Sequence, residues 1–273
     1  MAIKRREFLK IAGLTLAAGT GGLTTFSALR NGILEAAQYN RDPKGLKGSR
    51  WGLVIDMARF QDSKAIQKIS EICHKKHNVP TIPNPRHEIK WIWQEGFEHA
   101  FPGQESPYMA DTMRHQPYLV LCNHCDNPPC VRVCPTKATF KRADGIVMMD
   151  MHRCIGCRFC MAACPYGARS FNFIDPRPFV KELNREFPTR MKGVVEKCTL
   201  CYELLAIGKP PACAEHSNGA IVFGDLKDPN SEVRKLIASN FTIRRKPDLG
   251  TMPSVFYIVS GKEERLGGHE HAG

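Results

Sequence analysis

Cys122-Asn-His-Cys125-Asp-Asn-Pro-Pro-Cys130-Val-Arg-Val-Cys134-Pro135 and Cys154-Ile-Gly-Cys157-Arg-Phe-Cys160-Met-Ala-Ala-Cys164-Pro165 decide how this chain is read, because together they hold eight of its twelve cysteines. In the second run three thiols fall in one tight loop and a fourth follows after three residues. That is the bacterial spacing in which the loop grips one iron-sulfur cube while the last cysteine, carried past it on a short helix, reaches another. Zinc also accepts four thiolates, but structural zinc sites draw on two cysteine pairs far apart in sequence. Three sulfurs in one loop, and a Cys-Pro closing each run, argue against zinc.

The crossing rule allots the ligands. Cys122, Cys125 and Cys130 are expected to hold one cluster with Cys164, and Cys154, Cys157 and Cys160 a second with Cys134. Each closing proline stops its helix without removing a needed donor, since proline has no N–H. Between the runs, Gly145 to Asp150 reads as a short apolar strand. Loop, helix, strand and loop therefore repeat. The expected fold is α+β, built of tandem bacterial-type 4Fe-4S ferredoxin units in pseudo-twofold relation, with long loop insertions.

The remaining four cysteines lie outside complete motifs. Counting back from Cys73 with the same spacing, the loop positions 63, 66 and 69 hold Ser, Ile and Ile. Ile66, Ile69 and Cys73 instead fall on one face of a helix that Asp62 or Ser63 can cap. Towards the other end stand Cys198-Thr-Leu-Cys201 and Cys213, with Ala214-Glu-His216-Ser217-Asn218 where a fourth cysteine belongs. If four runs cross first to fourth and second to third, the absent cysteines are those of one cube, and Cys198, Cys201, Cys213 and Cys73 complete another. Twelve cysteines then divide into three full sets, and the expected cofactors are three 4Fe-4S clusters. The alternatives are His216 or Ser217 as the fourth ligand, or a three-iron cluster; both strand Cys73, which alone reads as a buried structural thiol.

The formal charge is +12, but nine Lys or Arg against three acidic residues in the first 50 positions account for half of that excess. No basic stripe of a nucleic-acid binder is visible in the rest. Twelve cysteines outside the cytosol would ordinarily mean disulfides. Cysteines occupied by iron cannot pair, however, so such a protein must be loaded before it meets an oxidising compartment. Lys4-Arg5-Arg6-Glu7-Phe8-Leu9-Lys10, followed by the apolar run Ile11 to Leu29, reads as a twin-arginine signal, a route used by folded cargo. Residues 1–30 are thus expected to be a twin-arginine signal or N-terminal anchor, 31–49 a linker, 50–261 the multi-cluster domain and 262–273 a flexible tail. The location expected is the periplasm or the outer face of the cytoplasmic membrane.

Two insertions are expected in the domain. The one near 79–116 carries Trp91, Trp93, Phe97, Phe101 and Tyr108, aromatics expected to bury against the cluster core, with a docking surface as the alternative. The one near 171–197 carries Arg177, Lys181, Arg185, Arg190 and Lys192 and is expected to be a solvated basic face. His74, His77, His87, His99, His115, His124 and His152 show no ligand spacing and read as ordinary polar residues. No Cys-x-x-Cys-His occurs, so covalent haem is not expected.

From Trp51 to Ser231 the chain resembles the ferredoxin-like electron-transfer subunits of the DMSO reductase and polysulfide reductase type. The residues that carry the likeness are Trp51-Gly-Leu-Val-Ile-Asp56, His77-Asn-Val-Pro80, the two complete runs, Cys198-Thr-Leu-Cys201 and Phe223-Gly-Asp-Leu-Lys-Asp-Pro-Asn-Ser231. Within that family the exported start, the Glu88-Ile-Lys-Trp-Ile-Trp93 insertion and the missing fourth cluster look most like the DsrO-type subunits of the membrane-bound DsrMKJOP complexes. The resemblance implies an integral-membrane, quinone-reactive partner of the NrfD type and a small multihaem cytochrome c or other redox subunit. It implies a relay of single electrons in sulfur metabolism. The alternatives are the electron-transfer subunit of a molybdopterin oxidoreductase, and a catalytic iron-sulfur enzyme with an open site near His216. No triad, phosphate loop or carboxylate pair argues for substrate chemistry, so the chain is expected not to be an enzyme by itself.

Overall fold

Trp51–Asp56 forms β1, and its unbroken apolar run follows from its place at the centre of the sheet, where both faces are covered and every residue is buried. This computed structural model describes residues 43–60 and 63–259. The expected signal, most of the expected linker, Asp62 and the expected tail lie outside the described residues.

After β1 come α1 (Ser63–Lys76), β2 (Ile92–Glu95), α2 (Phe97–Ala100), α3 (Asp111–His115) and β3 (Tyr118–Leu121). The cysteine-rich middle holds α4 (Pro129–Arg132), β4 (Thr139–Lys141), β5 (Val147–Met149), α5 (Phe159–Ala162), β6 (Ser170–Phe171) and β7 (Val195–Glu196). The chain then makes α6 (Tyr202–Ala206), α7 (Ala212–Glu215), β8 (Ile221–Asp225), α8 (Glu232–Ser239), β9 (Thr242–Ile243) and β10 (Val255–Ile258). No helix among the described residues is long and apolar enough to cross a membrane.

The main sheet has the order β8-β1-β10-β9. β1 runs antiparallel to β8, with Leu53 opposite Phe223, and parallel to β10, with Leu53 opposite Val255. One face is covered by α8, which packs Val233, Leu236 and Ile237 on Val54, Val222 and Ile258. The other face sends Leu53, Ile55, Ile221 and Tyr257 into the main core, where they meet the buried stripe Ile66, Ile69 and Cys73 of α1. That stripe recurs every three or four residues, as an amphipathic helix requires. Two residues past α1, Asn78 has a φ of 52°, the left-handed conformation asparagine tolerates after a helix.

The other strands form three two-stranded antiparallel pairs, β2-β3, β4-β5 and β6-β7. The strand expected at Gly145 to Asp150 is β5, paired with β4 so that Phe140 faces Met148. The mixture of short helices and strands is the expected α+β class.

The first insertion buries most of its aromatics. Phe101 stands edge-on to both Tyr118 and Tyr257, at centroid distances of 5.2 and 5.0 Å, and Trp91 is fully buried. Tyr108, 96% exposed, departs from the pattern. The second insertion departs further. Arg177, Lys181, Arg185 and Lys192 are exposed as expected, but Arg190 is buried. Its Nε lies 2.7 Å from Glu196 Oε2, and its other nitrogens donate to the carbonyls of His77 and Asn78 at the end of α1. This arginine is a structural tie and not part of a solvated face.

Candidate metal centres

None of the twelve cysteines forms a disulfide. Cys134, Cys154, Cys157 and Cys160 line a single small pocket together with Thr136, Ala138, Met149, Ile155, Arg158 and Val195. α5 carries Cys160, and Cys134 follows the end of α4 in the neighbouring run. Cys122, Cys125 and Cys164 pack with Tyr166, Ala168 and Trp93 in one apolar cluster. Burial, then the neighbouring thiol of Cys122, pushes Cys125 up to about 12, and Cys130 and Cys164 add to the effect. Cys130, which the spacing groups with Cys122 and Cys125, packs in the apolar cluster that holds Cys160, Cys134 and Cys154.

The third group joins residues 125 positions apart and more. Cys73, Cys198, Cys201 and Cys213 are all buried. The Cys73 thiol is held well above its ordinary range, first by burial and then by the thiols of Cys198, Cys201 and Cys213 in turn. α1 supplies Cys73 from its buried face, while α7, which packs against α1, supplies Cys213.

The three Cys-x-x-Cys loops share one backbone feature. The residue before the second cysteine is left-handed in each: His124 at φ 40°, Gly156 at φ 70° and Leu200 at φ 57°. Only one is glycine, so the likeness is hidden in the sequence. At Gly156 a Cβ would stand 2.5 Å from the carbonyl oxygen of Gly193, so glycine is required by space as well as by φ. The turn brings backbone N–H groups toward sulfur; Leu200 N–H donates to Cys198 Sγ at 3.4 Å. Thr139 N–H does the same for Cys134 at 3.4 Å.

These donors fit an iron-sulfur cube in each group. Four thiolates crowded into one buried space repel one another and lose hydration, so buried charges of this kind are found paired or bound to metal. The sets also have a spatial order. Cys130 of the Cys122 set acts on Cys160 of the Cys154 set, and Cys122 acts on Cys198 of the Cys73 set. The Cys122 set is therefore in the middle. The Cys73 set is the deepest, while the Cys154 set reaches the surface at exposed Cys157, beside Ile155 and Phe159, which are 66% and 59% exposed.

The alternative ligands are occupied otherwise. Ser217 donates its hydroxyl to the Ala214 carbonyl and accepts the Ile221 N–H, both at 2.9 Å, as a turn residue does. His216 Nδ1 donates to the Ala212 carbonyl at 2.9 Å. His216 also lines a surface cavity of about 630 Å³ with Ile72, Leu204 and Ala212, but no cysteine lines that cavity. Where the missing run would have presented sulfurs, Ile66 and Ile69 are packed in the core. Two histidines read as ordinary polar residues prove to adjoin the cysteines. His77 Nδ1 donates to the Cys73 carbonyl at 2.8 Å and lies 3.7 Å from its sulfur, and Nε2 lies 2.9 Å from Glu203. His124 is buried in the first loop and accepts the Val147 N–H at 3.1 Å. The signal that could have found His77 was its place in His77-Asn-Val-Pro80.

Residues 115–174 match the family model described as a 4Fe-4S dicluster domain. The protein is 40% identical to Hdr-like menaquinol oxidoreductase iron-sulfur subunit 1 of Archaeoglobus fulgidus, over 96% of its own length and 100% of that subunit. It is 33% identical to the iron-sulfur cluster-binding subunit of menaquinone reductase from Nitratidesulfovibrio vulgaris, over 77% and 88%. The chain belongs to this family of iron-sulfur subunits. The polysulfide reductase B subunit of Wolinella succinogenes is a further relative, 40% identical over half of this protein and 64% of its own length. Like the other iron-sulfur subunits, this one is an electron-transfer component of an oxidoreductase complex and not its catalytic subunit.

Proposed function

We propose that this subunit is a linear relay of three 4Fe-4S clusters. The sets are Cys73, Cys198, Cys201 and Cys213; Cys122, Cys125, Cys130 and Cys164; and Cys134, Cys154, Cys157 and Cys160. When bound, each cube supplies a one-electron couple whose potential follows its charge, hydrogen bonds and exposure. The protein's part is to fix the thiols, bury the Cys73 set and leave the Cys154 set near the surface at Cys157. The two complete runs are proposed to form pseudo-twofold ferredoxin units, to which α1, α7 and the Cys198–Cys201 loop add a third site.

The relay is proposed to run between an integral-membrane, quinone-reactive subunit of the NrfD type and a second redox subunit such as a multihaem cytochrome c, in sulfur metabolism. The relatives named for menaquinol and menaquinone oxidoreduction support the quinone end, and the polysulfide reductase subunit supports the sulfur chemistry. The arginine pair Arg5-Arg6 supports export in the folded state and a place on the outer side of the membrane, with residues 1–30 as signal or anchor.

The observation that carries the count of three is the presence of Cys73 among Cys198, Cys201 and Cys213. Iron and acid-labile sulfide analysis of the anaerobically purified protein tests it. About twelve irons are expected from three four-iron cubes. About eight would remove the Cys73 set, and stoichiometric zinc would remove the whole assignment.

A further inference from the structure

Two cations are buried at the two gaps of the relay, and neither has a carboxylate partner among the described residues. Lys197 is fully buried. Its Nζ donates to the Val147 carbonyl and, at 2.6 Å, to that of Cys198. Val147 in turn donates to His124, so the ammonium reaches the Cys198 carbonyl on one side and, through Val147, the first cysteine loop on the other. Arg169 is 5% exposed. One of its terminal nitrogens donates to Thr139 Oγ1 at 3.1 Å, and the other, NH2, is buried with no hydrogen-bond partner. Its charged neighbours are Cys130, Cys160 and Cys122, which belong to the two sets it separates. The ion pairs of the described residues include neither side chain.

A buried ammonium or guanidinium is expensive unless it meets opposite charge. Backbone carbonyls and a threonine hydroxyl could be satisfied by a neutral donor at less cost. Among the described residues, the anions in reach of Lys197 and Arg169 are the cluster thiolates, together with whatever charge the clusters themselves hold.

We propose that Arg169 and Lys197 set the relative potentials of the three clusters: Arg169 favours the reduced state on either side of the gap between the Cys122 and Cys154 sets, and Lys197 does so across the gap between the Cys122 and Cys73 sets. A fixed cation stabilises the more negative, reduced cluster, and net charge is one of the levers on cluster potential. The middle cluster feels both cations, and each end cluster feels one. The middle station is thereby made easier to reduce than an uncharged site would be, which draws an electron inward from either end. The proposal rests on the three-cluster relay.

The test is an EPR-monitored redox titration of the full, cluster-loaded protein in four variants. Arg169→Gln and Lys197→Gln keep donors and remove charge; Arg169→Lys and Lys197→Arg keep the charge. Arg169→Gln should lower the reduction equilibrium of the Cys122 and Cys154 clusters at least tenfold, about 59 mV for one electron, and leave the Cys73 cluster unmoved. Lys197→Gln should lower the Cys122 and Cys73 clusters by a similar factor and leave the Cys154 cluster unmoved. The charge-keeping swaps should stay within threefold of wild type. Equal shifts in all three clusters, no shift, or charge-keeping swaps that move as far as the neutral ones would overturn the proposal. If a neutral variant fails to load, iron content decides: loading restored by the charge-keeping swap supports it, and loss in both overturns it for that residue. Fewer than three clusters in the wild-type protein would sink the relay itself, whereas three clusters with unmoved potentials would sink only the role of the two cations.

Discussion

Replacing Arg190 with methionine leaves Glu196 buried without its cation. The two side chains are 3% and 0% exposed and 2.7 Å apart. Breaking such a pair from one side costs about 3–5 kcal/mol. Glu196 still accepts from Trp91 Nε1 at 2.9 Å and Asn172 Nδ2 at 2.6 Å, which places the loss near the lower bound, about 3 kcal/mol. For a domain of this size that is a fall of roughly 6–12 °C in melting temperature. The damage should extend to the Cys73 set, because Arg190 also ties down the carbonyls of His77 and Asn78 where α1 ends. Scanning calorimetry of the loaded protein at one fixed rate is the assay, since unfolding with loss of clusters is irreversible and the midpoint is operational. Replacing both residues with methionine should recover part of the loss, because an apolar pair removes the stranded charge while Trp91 Nε1 and Asn172 Nδ2 lose their acceptor. An Arg190→Met midpoint within about 2 °C of wild type, or a double variant no better than the single one, would refute the reasoning.

Gly156→Ala forces a Cβ against the Gly193 carbonyl at 2.5 Å in a left-handed turn, and should cost about 1–3 kcal/mol and preferentially loosen the Cys154 cluster; iron release to a chelator, compared with wild type, measures it, and unchanged release would mean the loop adapts. If Arg5-Arg6 is the export address proposed, Lys in place of both should leave the protein in the cytoplasm, because such a pair is read by a receptor and is not a source of charge; unchanged export on cell fractionation would contradict that reading of the first 30 residues.

Two of the three proposed sites could be drawn from local spacing alone, because the chemistry of a loop that presents three thiols is written there. The Cys73 set was legible only through the crossing rule applied to absent cysteines, and α1 makes the same point physically: Ile66 and Ile69 keep the buried face that ligands would otherwise have occupied. Several things could not be read. The shared left-handed turn is invisible when His124 and Leu200 hold it in place of glycine. β10 pairs with β1 across some two hundred residues, and nothing local marks Val255 to Ile258 as the neighbour of Leu53 to Asp56. Arg190, Arg169 and Lys197 look like any other basic residues until folding buries them beside carboxylate or thiols. Their role depends on where the chain returns, and charge composition does not contain that.

Cys73→Ala tests the central claim most directly. It removes one sulfur from a group whose other members lie at least 125 positions away, and metal–thiolate bonds of this kind contribute to folding free energy, so α1 should loosen as well. Low-temperature EPR of the reduced and oxidised protein should show the Cys73 cluster lost or reduced to a three-iron form, while the signals of the Cys122 and Cys154 sets persist. His216→Ala and Ser217→Ala should keep all three. A three-cluster spectrum in Cys73→Ala together with a cluster lost in His216→Ala would contradict the assignment and place a histidine where the crossed cysteine is proposed.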